Sequence, residues 1–201
     1  MTAYEFTSDW FTNRLITWQD LVLPNLPNTQ RRVLELGSYE GRSACWFLDN
    51  VIRAGTTDEL VCVDHWPGTM VVNEVLFDKN TAGRATKIKQ DIKACLPVLA
   101  QQKQRFDIIY IDADHDARDT LYAGVLCWEM LNPGGIMIFD DYLWKPEDRF
   151  TGITPPGIGI DAFLNTYALE LSILHKQYQV FVEKRKNALR TYHWELLNTN
   201  K

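Results

Sequence analysis

The sequence predicts an α/β fold built around a mainly parallel sheet. Three observations predict it. Apolar runs of strand length alternate with helix-like runs through most of the 201 residues, a pattern that implies crossover connections. Two of those runs, FDIIYIDADH (106–115) and GGIMIFDDY (134–142), carry apolar β-formers straight into clustered acids, and ligands of open α/β sheets gather outside the carboxyl ends of the strands. The last two runs, 171–174 and 179–182, are joined by His175–Tyr178 alone. That link is too short for a parallel crossover, so these two pair as an antiparallel hairpin.

Each element has its own signal. Ser8 and Asp9 cap a helix with Phe11, Leu15, Trp18 and Val22 on one face, stopped by Pro24 and Pro27. A strand at 32–36 runs into Gly37, and a helix at about 42–53 carries Ala44, Phe47, Leu48 and Val51 at helical spacing. A strand at 59–63 delivers Asp64; a short strand at 87–89 precedes a helical run at 91–102, interrupted by Pro97. The strand at 107–111 is followed by a helix at 117–131, which buries Leu121, Val125 and Trp128 and ends at Asn132-Pro133-Gly134-Gly135. A strand at 136–139 comes next. Residues 143–158, with Pro146, Pro155 and Pro156, read as a long loop, and a helix at 161–168 leads to the hairpin.

Composition bounds the function. With 46% hydrophobic residues the chain has enough apolar material for one ordinary core. Net charge is −5, with Lys and Arg scattered, so the cationic footprint of a nucleic-acid binder is missing. No apolar stretch approaches the ~20 residues of a membrane span, and MTAYEFTSDW has no basic-then-apolar secretion pattern. The expectation is a cytoplasmic protein with neither nucleic acid nor membrane as partner. Cys45, Cys62, Cys95 and Cys127 are widely spaced in apolar segments and read as buried thiols.

Two features point to chemistry. In ELGSYEGRS, Gly37 permits a tight turn, Gly41 lets backbone approach a ligand, and the following helix offers free N–H groups. The GxxxG spacing differs from the GxGxxG of a dinucleotide loop, which argues against an NAD oxidoreductase. Asp64, 23 residues after Gly41, is placed for two ribose hydroxyls. The second feature is the acids. Asp112, Asp114, Asp140 and Asp141 come to one rim, where ionised pairs repel by roughly 4 kcal/mol at ~4 Å and an effective dielectric near 20. A raised pKa or a bound cation must offset that. Plainer readings exist: Asp112 or Asp114 as a helix N-cap, Asp140 or Asp141 closing a turn, and His115, His65, His175 and His193 as exposed or structural. Trp66 and Trp144 either wall the site or simply pack.

The ordered set ELGSYEGRS, VDHWPG, YIDADHD, NPGG and FDDY resembles class I S-adenosylmethionine-dependent methyltransferases over roughly residues 32–184. The resemblance implies a Rossmann-like, doubly wound, mainly parallel seven-stranded sheet with an antiparallel last strand and helices on both faces. It implies a helical cap at 1–30, the methyltransferase domain at 31–184 and a tail at 185–201 to which it assigns no role. It also implies S-adenosylmethionine bound by Glu35, Gly37, Ser38, Gly41 and Ser43 at the methionine end, by Asp64 and His65 at the ribose, and by Gln90 and Asp91 at the adenine, with Asp112 alongside. Within that superfamily the acids resemble the metal-dependent O-methyltransferases of the catechol, caffeoyl-CoA and antibiotic-sugar types. Position by position, Asp112, Asp140 and Asp141 are the implied Mg²⁺ ligands, hard oxygens that suit this ion, and the acceptor is a small molecule with vicinal hydroxyls. The catechol branch has a lysine where His115 stands, and the sugar branch uses an aspartate matching Asp114, so the base stays open between them. An imidazole with an ordinary pKa near 6.5 inclines the choice to His115. Relatives are commonly homodimers. The alternatives are a metal-independent methyltransferase with another acceptor atom and a non-catalytic cofactor-binding protein of the same fold.

Overall fold

Alternating apolar residues on the strands sort the chain into two cores, one on each face of a sheet. The computed structural model describes residues 4–67, 71–112, 114–146 and 152–186. Residues 147–151 of the expected loop and most of the 185–201 tail, His193 included, lie outside the described residues. In chain order the elements are α1 (Leu15–Val22), β1 (Arg32–Leu36), α2 (Arg42–Asn50), β2 (Glu59–Asp64), α3 (Val71–Thr81), β3 (Thr86–Lys89), α4 (Ile92–Gln101), β4 (Phe106–Ile111), α5 (Ala117–Met130), β5 (Leu131–Phe139), α6 (Pro156–Thr166), β6 (Leu171–Lys176) and β7 (Val180–Lys184). The sheet order is β3-β2-β1-β4-β5-β7-β6. The first five strands in that order run parallel, and β7 runs antiparallel to both β5 and β6. This is the seven-stranded architecture that the resemblance implies.

Val33, Leu60, Cys62, Ile108, Tyr110, Ile136 and Ile138 face α1, α2 and α3. Leu34, Leu36, Val61, Val63, Ile109, Ile111, Met137 and Phe139 face α4, α5 and α6. Burial on both faces is why these strands read as continuous apolar runs. The first core centres on Trp18, which is fully buried. Its ring lies 4.7 to 5.1 Å from those of Phe11, Trp46, Phe47 and Tyr110. The N-terminal helix is therefore part of the core, not a detachable lid.

Three elements depart from expectation. Helix α3 has no counterpart in the sequence-based expectation. Its Val72 and Val75 are exposed while Leu76, Phe77, Asn80 and Thr81 are buried, so polar and apolar residues do not separate into the stripe that periodicity detects. Helix α6 begins at Pro156, inside the expected loop, with Pro155 as its N-cap; proline is favoured at the first helical position, where its missing N–H costs nothing. Strand β5 starts at Leu131, so Asn132-Pro133-Gly134-Gly135 forms an irregular bulge against β4 instead of a free turn.

One loop ties the sheet's lower edge together. The enclosed Asp58 carboxylate accepts from Arg31 N at 2.9 Å, Arg53 N at 3.1 Å and the Arg53 guanidinium at 2.8 and 2.9 Å. The Arg53 guanidinium, with those backbone donors, holds the Asp58 carboxyl well below the usual carboxylate range. A depressed acid stabilises the fold above its unfolded value of about 3.9 and loses that contribution as pH falls through the lower folded value. Asp58→Ala strands two backbone donors, so urea denaturation at pH 7 is expected to show a loss of about 2 kcal/mol. The gap to the parent should narrow below about pH 4.

Candidate active site

The order β2-β1-β4 places the topological switch between β1 and β4, where a crevice opens beyond the strand ends. The backbone ladder extends past the strands and anchors the first residue of each loop beyond them. Gly37 N donates to Val63 O, Asp112 N to Leu36 O and Asp140 N to Ile111 O, each at 2.9 Å. The loops carrying the predicted site residues thus leave a common rim.

On one side of the crevice is the glycine loop. Gly37 and Gly41 have φ of +82° and +81°, and Gly41 is the N-cap of α2. A Cβ at Gly41 would also lie 3.0 Å from the Phe77 ring. Glu35 is buried beneath the loop, accepting from Ser38 Oγ at 2.7 Å and Ser43 Oγ at 2.5 Å, with burial pushing its carboxyl up. Glu35 and Ser43 therefore shape the loop from below. Asp64 holds it from the side: one oxygen accepts from Ser38 N and Tyr39 N at 2.9 Å each, and the other from Trp66 N. His65 Nδ1 is 3.6 Å from Asp64, with the ring mostly exposed. Gln90 and Asp91 are exposed at the end of β3, Asp91 capping α4 through Ala94 N. Trp66 packs on Phe77 under the loop, its indole donating to Tyr39 O.

On the other side are the acids. Tyr110 hydroxyl contacts Asp112 Oδ2 at 2.9 Å and Asp140 Oδ2 at 2.5 Å. Asp140 Oδ2 also accepts from Gln179 Nε2 at 2.6 Å, and its Oδ1 from Asp141 N at 2.7 Å. Asp141, held at φ +58°, accepts from Tyr178 hydroxyl at 2.9 Å and lies 2.7 Å from His115 Nε2. Side-chain ligand atoms of Asp112, His115 and Asp141 lie within 4.8 Å of one another. Together with Ile111, Asp114, Thr120, Asp140 and Pro156 they line one small pocket. Burial first, then the Asp140 and Asp141 charges, pushes Asp112 well above the usual carboxylate range. Burial and Asp141 raise Asp140 likewise. The hydrogen bond to Asp141 raises His115. The cluster concentrates negative charge against its own acidity.

The two candidate bases part here. His115 turns to Asp141 and packs against Trp144, the rings 5.0 Å apart and tilted by 52°. Asp114, at φ +50° and raised mainly by burial, has Asp119, Lys93, Asp91 and His65 as its charged neighbours. Sequence reasoning did not place Tyr110, Tyr178, Gln179 or Trp18 at the site. Tyr110 was within its reach, because strand alternation puts residue 110 on the face of Asp112. Tyr178 and Gln179 were not, because their place depends on the pairing of Phe139 with Val180, which carries the next two cross-strand pairs onto Asp140 and Asp141.

The profile of a family described as a methyltransferase domain matches residues 34–142, more than half of the chain. The chain belongs to this methyltransferase-domain family. O-methyltransferase hkm8 of Aspergillus hancockii is 30% identical over 116 residues, 58% of this chain and 44% of that protein. The match thus spans less than half the length of this curated relative. Among solved structures, an O-methyltransferase from Bacillus cereus in complex with S-adenosylhomocysteine superposes with a TM-score of 0.64 at 20% identity, covering 89% of this chain and 84% of that one. The methyltransferase MycE of mycinamycin biosynthesis, in complex with Mg, S-adenosylhomocysteine and mycinamycin VI, gives 0.60 at 17% identity, covering 89% and 50%. These likenesses establish the methyltransferase fold. None of the described helices is long and apolar enough to cross a membrane.

Proposed function

We propose that the chain methylates a hydroxyl of a small molecule that carries vicinal hydroxyls, using S-adenosylmethionine and a divalent cation such as Mg²⁺. The observation that carries this reading is the convergence of Asp112, His115 and Asp141 beside the glycine loop. The O-methyltransferase relative supports the acceptor atom, and the magnesium of MycE supports the ion.

Clustered carboxylate oxygens fit a hard cation, with burial and mutual repulsion driving the acids toward neutrality. Asp112, Asp140 and Asp141 are the acids we assign to it, Asp140 through a carboxylate already fixed by Tyr110 and Gln179. When bound, such an ion would supply charge that acidifies and orients an acceptor hydroxyl. S-adenosylmethionine supplies an electrophilic methyl group. His115 is the assigned proton acceptor, since its Nε2 faces the cluster. Trp144 packs against one side of the imidazole. The glycine loop, braced by Glu35 and Asp64, receives the donor.

Calorimetry of S-adenosylmethionine and S-adenosylhomocysteine, with and without Mg²⁺, tests the reading directly. Binding of the donor with no response to Mg²⁺, and transfer that survives chelation, would support the metal-independent alternative. A second test concerns Asp64, which carries two loop N–H groups and which we assign to the ribose hydroxyls. Asp64→Ala is expected to weaken S-adenosylhomocysteine binding by about 30-fold, as two charge-assisted hydrogen bonds are lost, and to leave Mg²⁺ affinity near that of the parent. Equal loss of both affinities would remove Asp64 from the donor site.

A further inference from the structure

The acids at the end of β5 are held by a buried hydrogen-bond chain that begins in the N-terminal helix. Trp18 Nε1 donates to Gln179 Oε1 at 2.8 Å, and Gln179 Nε2 donates to Asp140 Oδ2 at 2.6 Å. Trp18 is fully buried and Gln179 is 3% exposed. The direction of this chain is fixed by chemistry. An indole N–H only donates, so it selects the amide oxygen of Gln179 and turns the amide NH₂ toward Asp140. The Asp140 carboxylate, which accepts, selects the amide NH₂ from the other side, so indole and carboxylate fix one and the same orientation of Gln179.

At its far end the chain sets the attitude of Asp140. Oδ2 accepts from both Gln179 and Tyr110, and Oδ1 accepts from Asp141 N. Tyr110 in turn reaches Asp112, so a rotation of the Asp140 carboxylate disturbs Asp112 through the phenol and the Asp141 backbone through the N–H. We propose that Gln179, oriented by Trp18, is a positioning residue that aims Asp112 and Asp141 into the pocket and so sets its affinity for a divalent cation. This inference rests on the metal-assisted reading above. It also ties the N-terminal helix to the site through one buried hydrogen bond.

The test measures Mn²⁺ binding by calorimetry to the full chain saturated with S-adenosylhomocysteine, in the parent, Gln179→Met and Trp18→Phe. Methionine keeps the length of the side chain and removes the donor. Phenylalanine keeps most of the ring and removes the N–H. Gln179→Met is expected to weaken Mn²⁺ binding about 10-fold or more, the usual consequence of removing a group that orients a ligand, with S-adenosylhomocysteine affinity unchanged. Trp18→Phe should give a smaller loss in the same direction, and it carries the test if the methionine variant does not fold. Parent-like Mn²⁺ affinity in both variants would overturn the inference and leave the metal reading standing. A parent that binds no Mn²⁺ would overturn both.

Discussion

Asp141→Asn is expected to lower kcat for methyl transfer by about 10³-fold, because several kcal/mol of charge stabilisation at the acceptor oxygen depend on this carboxylate. Asparagine is the informative replacement. Position 141 has φ +58°, a conformation asparagine tolerates and alanine resists, so backbone strain does not enter. The amide keeps a hydrogen bond for Tyr178 but loses the charge. Mg²⁺ affinity should fall with activity, while S-adenosylhomocysteine binding, which the proposed function assigns to the other side of the crevice, should hold. The imidazole gives an independent readout. His115 is raised first of all by its hydrogen bond to Asp141, so its NMR titration midpoint in the variant is expected to drop toward about 6.5. Stability should respond with a definite sign: a raised histidine stabilises the fold below its unfolded value and loses that contribution as pH rises through the folded one. The contribution of the His115–Asp141 pair to the parent's stability should therefore be largest on the acid side of about 6.5 and be missing from Asp141→Asn. Near-parent turnover in the variant would remove Asp141 from the chemistry.

What the sequence made legible divides along a physical line. Strands β1, β2 and β4 are buried on both faces, so their apolar runs and the acids or glycines that end them stand out without reference to anything distant. That is enough to place Gly37, Asp64 and Asp112 on one rim, and Asp140 and Asp141 beside them through β5. Features that depend on pairing between remote segments stayed hidden. Gln179 reaches Asp140 because β7 lies antiparallel to β5 in one register, and Trp18 reaches Gln179 across 161 positions of chain. Helix α3 was missed for a different reason: two of its valines face solvent, and β-branched residues do not announce a helix. Which way the adjacent His115 and Asp114 side chains face is likewise information that spacing alone does not carry.

Gly159→Ala should be the most disruptive small substitution in the second core, and the reason is backbone against backbone. A Cβ at Gly159 would sit well inside contact distance of the Ala117 carbonyl oxygen, with the Ala117 Cα at 3.1 Å. A neighbouring Cβ at Gly157 would meet the Tyr142 carbonyl oxygen in the same way. No side chain can turn aside to relieve either clash, so α6 must move off α5. Overpacking of this kind costs about 3 kcal/mol, and urea denaturation measures it. Gly55→Ala is the control: φ there is +74°, yet nothing lies within 4 Å of the added Cβ, so only the left-handed conformation is penalised, by about 1 kcal/mol. The displacement should also reach the site. Pro156, at the start of α6, lines the pocket with His115 and Asp112, and Ala117 N donates to Thr154 O just before α6 begins. Mg²⁺-dependent transfer in Gly159→Ala is expected to fall well before the protein unfolds, whereas Gly55→Ala should retain it. A Gly159→Ala protein within about 0.5 kcal/mol of the parent and fully active would mean that α6 rides loosely on α5 and takes no part in shaping the acceptor pocket.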